Sequence, residues 1–205
     1  MKGIVKRVWK MIKPFNEEAV PELIGIIGTG RGTGVTHFAV MTAGYLSGVM
    51  RIRCAVLEWN SHESIHAMGA VCGGEKKGEN SFRVLETDYF AKAGIDTLLL
   101  CKKSGYQAVI VDYGTAEEGN LGEFFRCGRQ LVIGSLSEWQ ISEFLEFEKR
   151  EIKAERSWES LVSFGSEEAR KSLEKRLKVP VRRIPFSTDP FSVTAEIISF
   201  YEQLF

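Results

Sequence analysis

The residues with the clearest chemical purpose are Gly28-Thr29-Gly30-Arg31-Gly32-Thr33-Gly34-Val35-Thr36-His37, a glycine-rich run between an apolar stretch and a helical pattern. A strand, a glycine loop and a helix N-terminus together form an anion cradle. The glycines let backbone N–H groups turn inward, and the helix end adds positive partial charge. The phosphate-loop pattern G-x-x-x-x-G-K-[ST] can be laid on Gly34. It then puts Thr29 at the first glycine, Val35 at the lysine and Thr36 at the hydroxyl that meets magnesium. A strand-to-helix turn that binds nothing needs fewer than the four alternating glycines found here. Valine cannot neutralise phosphate, so the cradle is present without its usual cation.

A second candidate is His62-Glu63-Ser64-Ile65-His66, which fits H-E-x-x-H. On a helix, two histidines at this spacing share a face and can grip zinc, with the glutamate as base for bound water, the arrangement of a zinc hydrolase. Such a site needs a third protein ligand, and only His37 and Glu86 offer themselves, both distant in sequence. The competing reading is a short exposed helix over His62–Ala70 with Ile65 and Met68 turned inward. Cys54, Cys72, Cys101 and Cys127 are widely spaced and form no C-x-x-C pair, so they read as reduced thiols.

Several segments, in order, resemble the ParA/MinD group of P-loop ATPases. Leu23–Thr36 is similar to that family's first strand and loop, and Cys54-Ala55-Val56-Leu57-Glu58-Trp59-Asn60 to its second-strand motif, where two aspartates flank one residue. Tyr106–Gly114 resembles its Walker B segment and Val179–Phe186 its late strand ending in Ile-Pro. The resemblance spans about residues 22–205 and implies ATP or ADP bound with magnesium. The phosphates would lie on Gly30, Arg31, Gly32, Thr33, Gly34, Val35 and Thr36, with Thr36 and Asp112 toward the metal. Arg31 lies near the family's extra lysine, which reaches a partner's phosphate across a homodimer. Glu58 and Asn60 stand where the family has its aspartates, and Asn60 can orient water but has no carboxylate to take a proton. The resemblance therefore implies a degenerate member, a pseudo-ATPase scaffold that organises an unidentified protein partner. A slow ATPase using Arg31 as its cation is the alternative. Read without the resemblance, Asp112 could simply cap the loop that follows its strand, and Arg31 could be a solvated charge.

These residues need elements to position them. Apolar runs predict strands at Leu23–Gly28, Arg53–Glu58, Phe82–Glu86, Ala108–Asp112, Leu131–Ser135, Ser160–Phe164 and Val181–Ile184. Helical patterns fall at Gly34–Ser47, His62–Ala70, Lys92–Lys103, Leu121–Cys127, Glu138–Glu155, Ser166–Leu177 and Phe191–Leu204, and the stretch Gly73–Asn80 reads as a loop. Continuous apolar strands alternating with helices predict a three-layer α/β domain with a mostly parallel sheet. Ligands in such a fold meet the carboxyl ends of the strands.

Lys and Arg total 27, as do Asp and Glu, but the balance is uneven along the chain. Residues 1–13 carry Lys2, Lys6, Arg7, Lys10 and Lys13 with no acid, so the remainder is net acidic. Ile4, Val5, Val8, Trp9 and Ile12 would form one stripe of a basic amphipathic helix, suited to an anionic membrane surface or to docking on the domain. The organisation expected is residues 1–20 as helix and linker and 21–205 as the domain. No export signal is seen, so the reading is cytoplasmic, with peripheral membrane contact through residues 1–13. The acidic body and the lack of a basic stripe argue against DNA.

Overall fold

Unbroken apolar runs form the middle of the sheet. Strands β1 (Glu22–Gly28) and β6 (Ala108–Thr115) pair in parallel and are flanked by β2 (Cys54–Glu58) and β7 (Arg129–Gly134), also parallel. The computed structural model describes residues 20–151 and 158–205, and within these the sheet runs β3-β4-β5-β2-β6-β1-β7-β8-β9. Strands β8 (Trp158–Val162) and β9 (Val181–Arg183) extend it in parallel. On the other side β3 (Glu75–Gly78), β4 (Ser81–Val84) and β5 (Thr87–Phe90) form an antiparallel extension, and β5 joins β2 in parallel.

Alternate residues of each strand face opposite layers. Ile24, Ile26, Val56 and Ile110 pack with α1 (Val35–Gly44), α2 (Ser64–Val71) and α7 (Ala195–Leu204). Ile27, Leu57, Val109 and Val111 pack with α3 (Ile95–Lys103), α4 (Leu121–Phe124), α5 (Ile141–Glu151) and α6 (Glu167–Leu177). This is the three-layer α/β architecture expected from the sequence. A π-helical turn, Tyr45–Val49, continues α1. No helix among the described residues is long and apolar enough to cross a membrane. The basic segment 1–13 and the linker to residue 20 lie outside the described residues, apart from Val20 itself.

Two expectations are corrected at the sheet edge. The stretch Gly73–Asn80, read as a loop, contains β3, and the single strand over Phe82–Glu86 resolves into β4, a turn at Leu85 and β5. Strand β3 is exposed along its whole length, so it carries no hydrophobic alternation to reveal it. In β5, Asp88 interrupts the apolar pattern and is nevertheless buried. Arg83, its cross-strand partner, donates to both carboxylate oxygens at 2.8 Å, and the Tyr106 hydroxyl donates to one of them at 2.8 Å. Together with Lys77, these donors hold the Asp88 carboxyl below its ordinary range despite the opposing effect of burial.

Candidate functional site

The carboxyl ends of β1, β2 and β6 converge on one cleft of about 490 Å³, lined by Gly30–His37 together with Ser61, His62, Ser64, Gly114 and Thr115. The loop leaves β1 at Gly28 and is braced from two sides: the Thr29 amide donates to the Ile133 carbonyl at 2.9 Å, and the Gln140 side-chain amide donates to the Arg31 carbonyl at 2.7 Å. Gly32 and Gly34 have φ of 76° and 93°, left-handed conformations that glycine adopts without steric cost. Gly34 starts α1, no side chain caps it, and the first turn contains no acidic residue, so this helix end favours an anion.

All seven loop residues predicted from the sequence, Gly30 to Thr36, line the cleft. Val35 is 8% exposed and joins the core on the α1 face, with a methyl close against Gly28. Thr36 meets Asp112 across 76 residues of sequence, its hydroxyl donating to Oδ2 at 2.6 Å. Asp112 is 0% exposed and also accepts from the Gly114 amide at 2.9 Å and the Asn60 side-chain amide at 3.0 Å. Burial pushes its carboxyl pKa up, while the bonds from Thr36 and Gly114 oppose the shift.

Glu58 and Asn60 do not line the cleft. The buried Glu58 carboxylate turns to the start of α2, where it accepts from the Ile65 amide at 2.8 Å and caps the helix. Replacing Glu58 by alanine is expected to cost about 1–3 kcal/mol, the penalty of an unpaired buried donor. A lower urea midpoint would show this, and an unchanged midpoint would show that the cap is dispensable. The Asn60 amide is spent on Asp112, donating to its side chain and to its carbonyl, each at 3.0 Å, while its oxygen accepts from the His62 amide at 2.9 Å.

The H-E-x-x-H reading fails on geometry. Helix α2 begins at Ser64, so His62 precedes it and Glu63 takes a left-handed conformation at its cap, and the two histidines do not share a helical face. His62 Nε2 instead lies 2.8 Å from Glu118, and no group of metal-ligating side chains occurs among the described residues. Ile65 is buried and Met68 packs on the core, as the competing reading expected.

Two residues at the site lie outside the phosphate-binding set expected from the sequence. His37 lines the cleft with Nε2 buried and unpartnered, and desolvation lowers its pKa. Glu118, in the loop after β6, bonds Arg31 Nη2 at 2.5 Å. It belongs to no motif, and its only signal is its closeness to the end of an apolar strand. A paired hydroxyl and carboxylate are hard oxygen donors of the kind that suit magnesium. With the glycine loop and the uncapped start of α1 they suit a magnesium-bound di- or triphosphate, except that the loop has no lysine and Asp112 is buried behind Thr36, which alone of the pair lines the cleft.

No protein-family model and no curated protein matches the sequence. Solved structures share the fold. A plasmid partition protein from Borrelia burgdorferi B31 bound to AMPPNP has a TM-score of 0.64 at 15% identity, covering 91% of this chain and 97% of its own. MinD of Pyrococcus horikoshii OT3 complexed with Mg-ADP has a TM-score of 0.54 at 11% identity, covering 80% and 81%. The MinC:MinD cell division complex of Aquifex aeolicus has a TM-score of 0.59 at 12% identity, covering 82% of each chain. The architecture is that of the ParA/MinD P-loop ATPases.

Proposed function

We propose, on the premise of this ParA/MinD-type fold, that the chain holds ATP or ADP with magnesium on its glycine loop. It would act as a homodimeric nucleotide-binding or pseudo-ATPase scaffold that positions a protein partner. The observation that carries the reading is the Thr36–Asp112 pair, 2.6 Å apart at the end of a loop whose residues line an open cleft. Nucleotides in two proteins of the same fold, AMPPNP and Mg-ADP, support the ligand class, and the MinC:MinD complex supports a protein partner.

In this reading the loop amides and the N-terminus of α1 would bind phosphate oxygens, and Thr36 and Asp112 would hold magnesium. The metal supplies charge neutralisation next to the phosphates. Hydrolysis at an ordinary rate is not expected, because Val35 offers no cation and the Asn60 amide, turned onto Asp112, offers no base for water.

Calorimetric titration with ATP, ADP and GTP, with and without magnesium, tests the proposal. Magnesium-dependent heat is expected, and no heat with any of them at millimolar concentration overturns it. A turnover assay on the wild type and Arg31→Ala separates scaffold from enzyme, since turnover abolished by that substitution would favour the slow-ATPase alternative.

A further inference from the structure

We propose that Glu118 is a built-in occupant of the cationic corner of the cleft, so that a phosphate-bearing ligand enters by displacing this carboxylate from Arg31 and His62. Both Glu118 oxygens are engaged, one 2.5 Å from Arg31 Nη2 in the glycine loop and the other 2.8 Å from His62 Nε2 in the loop after β2. Arg31 and His62 themselves line the cleft. One carboxylate thus ties together the loops that follow β1, β2 and β6.

The placement of Glu118 is set by backbone. The amides of Glu118 and Gly119 both donate to the Thr115 carbonyl, at 3.2 and 2.7 Å. A methyl group at Gly119 would strike the carbonyl oxygens of Tyr113 and Thr115, so the turn depends on glycine. His62 is placed by Asn60, and Asn60 by Asp112, which gives a hydrogen-bonded path from His62 through Asn60 and the buried Asp112 to Thr36.

Carboxylates and phosphates compete for the same guanidinium donors, and phosphate brings more charge and more oxygens. With valine in the lysine position, Arg31 is the one permanent cation among the residues lining the cleft, so whatever holds Arg31 controls the site's attraction for anions. Arg31 and Glu118 each stabilise the other's charged form, first through their hydrogen bond, and neighbouring Glu117 adds to the negative field at Arg31. The Arg31 side chain is 75% exposed and that of Glu118 35%, which makes the latch easy to exchange and of little weight in global stability. Exchange would free the turn at 116–119, giving a partner a surface that reports occupancy. The inference rests on the nucleotide reading for its ligand, while the latch itself is testable without one.

The test compares wild type, Glu118→Gln and Glu117→Gln at fixed ionic strength by titration with sodium pyrophosphate, and by amide hydrogen exchange over residues 116–120. Glu118→Gln is expected to bind pyrophosphate about three- to tenfold more tightly than wild type, with Glu117→Gln changing affinity less than about twofold. Pyrophosphate is expected to speed exchange in the turn in wild type and to add nothing in Glu118→Gln. Equal affinity in wild type and Glu118→Gln, or an equal gain in both variants, overturns the proposal and leaves the nucleotide reading standing. If no variant binds pyrophosphate even with magnesium added, the nucleotide reading fails, and the latch stands or falls on whether Glu118→Gln alone speeds exchange in the turn.

Discussion

An Asp112→Ala variant is expected to lose the magnesium-dependent part of its ATP affinity. Hydrogen bonds and contacts to a charged group contribute about 1.5–3 kcal/mol, which corresponds to a loss of about 10- to 150-fold. Calorimetry with and without magnesium reads this directly, and a variant whose affinity still rises with magnesium would remove Asp112 from the metal site. The same substitution leaves the Thr36 hydroxyl, the Asn60 amide and the Gly114 amide without their shared acceptor, so the fold also weakens. Asp112→Asn separates the two effects, because it keeps the shape and removes the charge. Burial raises the Asp112 pKa, so the fold favours the protonated carboxyl. Its contribution to stability is present below the ordinary carboxylate pKa and is lost as pH rises through the folded-state value. Without a divalent cation, wild type should therefore lose stability relative to Asp112→Asn as the pH is raised across that interval. Parallel urea midpoints for the two proteins across the range would contradict this.

A Val35→Lys variant is expected to move stability and affinity in opposite directions. Val35 is 8% exposed, and a polar chain in its place gives up about 1.5–3 kcal/mol of side-chain burial. The restored ammonium would add a charge-assisted bond to the polyphosphate, raising affinity about 10- to 100-fold. Thermal denaturation and calorimetry on the same sample measure both. A destabilised protein with unchanged affinity would show that this loop does not place its helix N-terminus against phosphates.

The glycine loop was legible because its signal is local. Alternating glycines between an apolar strand and a helical pattern imply a conformation, and Gly32 and Gly34 adopt it with positive φ. The central strands were legible for a related reason, since burial on both faces needs continuous apolar sequence. Strand β3 escaped because an exposed edge carries no such demand. The H-E-x-x-H spacing carries no zinc site because it presupposes a helix running from His62, whereas the helix starts two residues later, at Ser64.

Asn60 shows where sequence reasoning stops. Its position beside Glu58 predicted a polar group near the phosphates, but its amide faces Asp112, where an aspartate would set a second carboxylate about 3 Å from the first. Nothing in the sequence near residue 60 identifies that partner, which arrives from β6. Glu118 is more extreme, an exposed acid in a turn whose meaning comes from Arg31, 87 residues earlier.

The sequence by itself determined the three-layer class, the central parallel strands, the glycine cradle and the absence of its lysine. Each of these is written in burial periodicity or in the conformational demands of single residues. The tertiary structure alone decided that Thr36 meets Asp112, that Glu58 caps a helix, that Asn60 is spent on Asp112 and that Arg31 is held by Glu118. The physical reason is that a polar side chain's partner depends on which strand ends lie side by side. The order β2-β6-β1 places loops distant in sequence around one cleft, and hydrophobic pattern encodes depth without encoding neighbours.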